Sequence, residues 1–181
     1  MGRSHQEWAT RFRVPMGFVL GIAYLVFAQP TQTFLEAGGA IALLGLALRG
    51  WAAGCLDKNH NLATGGPYAY TRNPLYLGSM LIGAGFALAG RSWLLGVGAL
   101  ALFALVYWPV IRREEAFLRQ EFGESYCRYA TQVSLLFPLR LSAPHPDPPF
   151  RWTQYRKNRE YEAALGYLAG LVFLTLKMEL R

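Results

Sequence analysis

The chain has 181 residues, of which 53% are hydrophobic and only 16% charged, and its mean hydropathy is +0.18. So little charge cannot cover a water-facing surface, which excludes an ordinary soluble domain, a disordered chain and a collagen-like fibre. Cys55, Cys127 and three scattered histidines (His5, His60, His145) predict neither a disulfide framework nor a metal site, and the net charge of +7 fits basic loops beside an anionic leaflet better than a nucleic-acid surface.

The apolar residues fall in five blocks: Val14–Ala28, Phe34–Leu48, Leu75–Ala89, Trp93–Ile111 and Tyr161–Leu176. A hydrocarbon core of about 30 Å takes about 20 helical residues. Trp93–Ile111 meets that length alone, and the others need snorkelling flanks or local thinning. The pattern predicts an all-α fold, a multi-pass membrane bundle of about five transmembrane helices. The first block, with basic residues before it and no small-residue cleavage site after it, reads as a retained helix rather than a signal peptide. Short connections at Gln29–Gln32 and Gly90–Ser92 predict two antiparallel helical hairpins. Fifteen of the eighteen Lys and Arg residues lie before the first block, between the second and third, or between the fourth and fifth. The positive-inside rule therefore predicts a cytoplasmic N-terminus and cytoplasmic long loops. A membrane domain over residues 1–141 is followed by a Pro-rich and basic linker, 142–160, and an added C-terminal transmembrane helix, 161–181. Gly166 and Gly170 form a G-x-x-x-G pair suited to close helix packing, within the chain or in a homo-oligomer.

The loop before the third block reads Thr64-Gly65-Gly66-Pro67-Tyr68-Ala69-Tyr70-Thr71-Arg72-Asn73-Pro74-Leu75-Tyr76-Leu77-Gly78. Gly65-Gly66-Pro67 predicts a turn, and Asn73-Pro74 a helix start with Asn as N-cap and Pro at the first helical position. The positive end of that helix dipole beside Arg72 makes a place for a carboxylate or phosphate. Gly78, one turn in, lets a ligand or a second helix approach the backbone. Lipid anchoring by Arg72 and an aromatic belt of tyrosines explain these residues one by one, but not their dense order.

After the fourth block, in which Pro109 is expected to kink or end the last turn, the apolar positions Phe117, Leu118, Phe122, Tyr126, Tyr129 and Val133 keep helical spacing, interrupted at Gly123. This predicts an amphipathic helix at the cytoplasmic interface. Glu115 has an i,i+4 partner in Arg119, whereas Glu114 has none, since position 118 is Leu. The hairpin returns Asn73-Pro74 and Glu114-Glu115 to one side of the membrane. A pocket between them offers anion-binding donors, carboxylates and tyrosine faces, which suits a zwitterion carrying an extra cation.

These two blocks resemble the isoprenylcysteine carboxyl methyltransferase and phospholipid methyltransferase superfamily of integral membrane enzymes. A signature like G-x-Y-x-x-x-R-[HN]-P-x-Y-x-G is matched by Gly66, Tyr68, Arg72, Asn73, Pro74, Tyr76 and Gly78. A second block, like E-E-x-x-L-x-x-x-F-G-x-x-Y-x-x-Y, is matched by Glu114, Glu115, Leu118, Phe122, Gly123, Tyr126 and Tyr129. The resemblance covers about residues 60–138. It implies S-adenosyl-L-methionine as cofactor and a lipophilic acceptor, an isoprenylated carboxylate or thiol or a phospholipid amine, reached from the bilayer. It also implies Tyr68, Arg72, Asn73, Pro74, Tyr76, Gly78, Glu114 and Glu115 at the cofactor, with Arg72, Asn73 and Glu114 at the reaction centre. Phe122, Tyr126 and Tyr129 are then placed on the acceptor side. Two departures stand out: Asn73 replaces the common His, and Val133-Ser134-Leu135-Leu136-Phe137-Pro138 replaces a V-P-R-like segment. Membrane sterol reductases, which use NADPH, share an R-[HN]-P-x-Y-like block and form the alternative, together with a non-enzymatic membrane scaffold.

Overall fold

The computed structural model describes residues 19, 21–57, 62–139 and 150–180. The basic residues Arg3, Arg11, Arg13 and Lys58, the three histidines and the Ser142–Pro149 spacer lie outside the described residues. Among those described there is no strand, and a single isolated bridge joins Thr71 to Ser134.

Residues 21–27 are helical. They lead through Gln29, whose N–H donates to Gly90 O at 2.7 Å, into α1, Gln32–Cys55. A 3-10 turn, Gly66–Ala69, precedes α2, Pro74–Ala89. Then come α3, Trp93–Leu102, a π turn at Phe103–Tyr107 and α4, Trp108–Gln132, which follow one another without a loop as a rod that kinks at Gly123. The C-terminal part holds α5, Trp152–Lys157, and α6, Tyr161–Glu179.

Among the described residues, three elements are long and apolar enough to cross a membrane: α1, the Trp93–Gln132 stretch and α6. At 16 residues α2 rises only about 24 Å. The side chains of Leu43, Leu44, Val97, Leu100, Leu168 and Val172 are more than half exposed. A surface so apolar is stable only against lipid, and the chain is an integral membrane protein.

Several boundaries differ from the sequence pattern for identifiable reasons. The second block extends from Leu48 to Cys55 because Arg49, which ends the apolar run, is neutralised inside the bundle by Glu160. Pro109 does not end its helix. The preceding π turn, in which the Trp108 N–H reaches back to Phe103 O, takes up the irregularity at the start of the next helical stretch. The expected break at Gly123 is present, with φ 52° and ψ −126°. Residues 152–157, expected as linker, are helical and docked. The Arg151 N–H donates to Gly54 O at 3.0 Å, and Asn158 Nδ2 donates to Ala53 O at 2.9 Å and Leu56 O at 3.1 Å.

Small residues let α1 and α2 pack backbone to backbone. A Cβ on Gly45 would sit 2.6 Å from Gly78 O, and one on Gly85 would sit 2.5 Å from Ala42 N and Gly38 O. Of the expected Gly166/Gly170 pair, Gly170 packs under the Phe86 ring, whereas Gly166 meets open space. Tyr167 donates to Gly39 O at 3.1 Å and ties α6 to α1. The consequence is testable. Gly45→Ala forces two backbones apart and should destabilise by about 1–3 kcal/mol. Gly83→Ala, with nothing within 4 Å of the added Cβ, should be neutral or stabilising by up to about 1 kcal/mol. Thermal unfolding in detergent reads both.

Candidate active site

The two motif blocks meet at one end of the bundle, at the N-terminus of α2 and along α4 beyond the rod's apolar part. Their junction begins with the backbone. The Arg72 N–H donates to Ser134 O at 3.0 Å, Thr71 Oγ1 donates to Leu136 O at 2.7 Å, and Asn73 Nδ2 donates to Leu135 O at 2.9 Å. Residues 71–73 are thus stitched to the segment that leaves α4. Only main-chain carbonyls of that segment are used, so the missing Pro-Arg does not disturb the seam. Asn73 holds the N-cap position of α2, but its side chain makes no capping bond. It is spent on Leu135 instead, and its own carbonyl accepts from the Tyr76 and Leu77 N–H groups.

Arg72 and Glu115 form the ionic centre. The Arg72 guanidinium pairs directly with Glu115, and both side chains are nearly buried, at 12% and 8% exposure. Glu115 also accepts from Tyr126 Oη at 3.1 Å and from Arg112 at 3.3 Å. Sequence spacing offers Arg119 as its partner; the fold supplies Arg72, because burial favours the cation that is itself desolvated. Glu114 points the other way and accepts a hydrogen bond from Tyr76 Oη at 3.0 Å. Tyr76 in turn packs edge-on against Tyr107.

A cavity of about 370 Å³ opens between these groups, a size usual for small-molecule sites. Its walls include Tyr68, Arg72, Asn73, Pro74 and Tyr76 from the first block and Glu114, Phe122, Tyr126 and Tyr129 from the second. Glu115 stands behind Arg72 rather than on the wall, and Gly78 faces away, its missing side chain making room for Gly45 O and Arg49 of α1. Asp57, Leu62, Phe117 and Glu121 also line the space. Asp57 gave no signal in the sequence because it lies outside both motifs. It pairs with Arg151 at 3.4 Å and Lys157 at 3.9 Å across a long sequence gap.

Three buried polar atoms of wall residues have no hydrogen-bond partner among the described residues: Tyr68 Oη, Arg72 Nε and Asp57 Oδ1, the last within ion-pair distance of Lys157. Burial, reinforced by the Glu114 carboxylate, pushes the Tyr68 hydroxyl well above the usual tyrosine range. It stays a protonated donor at any working pH. Tyr129 Oη donates to Tyr68 O at 2.6 Å and fixes that residue's backbone. No group of three or more His, Cys, Asp or Glu side chains able to hold a metal is found among the described residues.

Comparison with known proteins agrees with this arrangement. Residues 20–125 match the phospholipid methyltransferase family. Protein-S-isoprenylcysteine O-methyltransferase of Schizosaccharomyces pombe is 31% identical over 147 residues, covering 76% of this chain and 60% of that protein. The cobalt-zinc-cadmium resistance protein CzcN of Cupriavidus metallidurans is 40% identical over 110 residues, 56% of this chain and 49% of its own length. The nickel-cobalt-cadmium resistance protein NccN of Alcaligenes xylosoxydans xylosoxydans is 34% identical over 140 residues, or 72% and 64%. The chain therefore spans about half to two thirds of the length of the curated relatives it matches. No solved structure matches it. The matched region contains the whole Gly66–Gly78 block and the Glu114-Glu115 pair that faces it, and by that match the chain belongs to the phospholipid methyltransferase family.

Proposed function

We propose that the protein is an S-adenosylmethionine-dependent methyltransferase with a lipophilic acceptor, working at the cytoplasmic face of the membrane in a bundle of about five spans. One observation carries this reading: two motifs, one at Arg72 to Tyr76 and one from Glu114 onward, 38 positions after Tyr76, line a single cavity. Family membership supports the chemistry. The basic residues of α4 and α5, at the cavity end of the bundle, support the cytoplasmic placement.

The donor set fits the cofactor. Its amino-acid portion needs partners for a carboxylate and an ammonium, and its sulfonium benefits from aromatic faces. Arg72 Nε and the Tyr68 hydroxyl, both buried and without a hydrogen-bond partner among the described residues, are suited to the carboxylate. Glu114 is suited to the ammonium, and Tyr76, Tyr126 and Tyr129 supply π faces at the cavity wall. When bound, S-adenosylmethionine supplies an electrophilic methyl group. The chain's own work is then to align the acceptor and exclude water, since an in-line displacement gains most from orientation and desolvation. Asn73, with its amide held by Leu135, serves geometry rather than proton transfer. A carboxylate acceptor arrives ionised and needs no base. For an amine or a thiol, Glu114 is the group placed to take the proton. The family name and the isoprenylcysteine relative support a lipophilic acceptor, and the candidates are an isoprenylated carboxylate or thiol, or a phospholipid amine.

Glu114→Gln keeps the fold, because the side chain sits on an exposed rim. It should weaken S-adenosylhomocysteine binding by about tenfold or more in calorimetry. Equal affinity in the variant and the wild type would remove Glu114 from the site. In a second measurement, S-adenosylhomocysteine at a hundredfold excess over its Kd should stabilise the protein by about 2.7 kcal/mol, and NADPH should not shift the melting temperature. The reverse result favours the reductase. Incubation with methyl-labelled cofactor and fractionated native lipids should label one lipid class and so name the acceptor.

A further inference from the structure

The C-terminal segment lies beyond the matched region, which ends at residue 125. We infer that this segment completes the active site: Glu160, through Arg49, is a positioning residue that holds the first turns of α2 against the cavity. The inference rests on reading that cavity as the cofactor site.

The geometry begins with Arg49, a cation placed six residues before the end of α1, directly after an apolar run over residues 37–48. All of its nitrogens are used. Nε donates to Glu160 Oε1 at 2.5 Å and Nη2 to Glu160 Oε2 at 3.0 Å, a two-pronged pair. Nη1 turns toward α2, donating to Ser79 Oγ at 2.5 Å and to Leu75 O at 3.3 Å. Ser79 Oγ donates to the same Leu75 carbonyl at 2.9 Å. One rigid guanidinium plane therefore ties a carboxylate of the C-terminal segment to the first-turn carbonyl of α2, with angles that a lysine ammonium cannot reproduce.

The fit is tight as well as polar. A Cβ at position 78 would lie 2.5 Å from Arg49 Cγ, so the absence of a side chain at Gly78 is what admits the arginine stem. Pro74 and Leu75 are wall residues of the cavity, and Arg72 and Asn73 immediately precede them. A shift of the α2 start moves all four. Glu160 is itself only 5% exposed. Its location is set by the docked α5 region, where Asn158 caps the Ala53 and Leu56 carbonyls at the end of α1. The chain of contacts runs from α5 through Glu160 and Arg49 to Leu75 without a gap, which makes residues 151–160 part of the site's support.

The test compares full-length protein in detergent with three variants. Glu160→Gln removes the charge but keeps the shape; Arg49→Lys keeps the charge but loses the fork. Glu162→Gln, whose carboxylate pairs only with exposed Arg159, is the control. Hydrogen exchange over residues 75–79 and S-adenosylhomocysteine affinity are both measured on folded, monodisperse protein. Glu160→Gln and Arg49→Lys should exchange faster in that segment and bind roughly ten- to a hundredfold more weakly, and the control should match wild type. The inference is overturned if both variants keep wild-type exchange and affinity, or if their melting temperatures fall while affinity holds. Should Glu160→Gln fail to accumulate, Ser79→Ala, which removes one Arg49 partner and no charge, carries the same comparison. A wild-type protein that does not bind S-adenosylhomocysteine would sink the methyltransferase reading, whereas the exchange data would still decide the clamp.

Discussion

The buried pair between Arg72 and Glu115 is the contact on which the site depends, because it is the strongest side-chain link between the start of α2 and the cytoplasm-ward half of α4 in the proposed orientation. Neither partner tolerates isolation at such low exposure. Breaking a buried pair by deleting one side costs about 3–5 kcal/mol, far more than the pair contributes relative to an apolar replacement. That asymmetry makes the pair a device for specifying geometry rather than for adding stability. The Tyr126 hydroxyl and Arg112 complete the coordination of Glu115. The backbone seam from Arg72 to Ser134 prevents the two walls from sliding past one another. The cavity is what this fixed spacing leaves open.

A division of labour between the adjacent glutamates follows. Successive residues on a helix point about 100° apart, so Glu115 can turn inward to Arg72 while Glu114 turns to the cavity rim and Tyr76. Together the inward pair is close to neutral. The cavity then presents the Glu114 carboxylate beside Tyr76, with Asp57 and Glu121 also on its walls, a guanidinium nitrogen with no hydrogen-bond partner among the described residues and a hydroxyl held protonated by burial. A zwitterionic ligand with a further positive charge is complementary to that set. This complementarity supports the cofactor assignment and is independent of the family match.

Much of the site was legible in the sequence, since both motifs are local and the hairpin that unites them is marked by the apolar blocks on either side of Gly90. Pairing was not. Arg119 is the natural i,i+4 partner of Glu115 on a helical wheel, and nothing in the spacing shows that Arg72, from another helix, is the one buried with it. Asn73 read as a capping residue because Asn before Pro usually caps, yet a carbonyl from residue 135 competes successfully for its amide. Arg49 read as the end of a membrane segment. Its neutralisation by a glutamate 111 positions later is the kind of non-local event that hydropathy cannot register. The same limit explains why 152–157 read as a linker: its docking depends on hydrogen bonds to the C-terminal carbonyls of α1, not on its own periodicity.

The shortness of α2 is the remaining constraint, and it connects these features. A rise of about 24 Å leaves the helix several ångströms short of a hydrocarbon core of about 30 Å. Its far end is fixed, since Gly90 O is tied to the Gln29 N–H and Ala89 packs with Ala28, Leu95 and Leu174. In the proposed orientation, with that far end set at the opposite headgroups, the deficit falls at the Pro74 end. Arg49 lies about 9 Å before the end of α1, at a comparable depth. Charges placed so deep are tolerated only when paired, and both cations there are: Arg72 with Glu115, Arg49 with Glu160. In the proposed orientation, a cavity floor at that depth would admit a lipid-borne group from the bilayer and a water-soluble one from the loop side. For a reaction between two such molecules, the depth at which α2 begins matters as much as the identity of the residues around it.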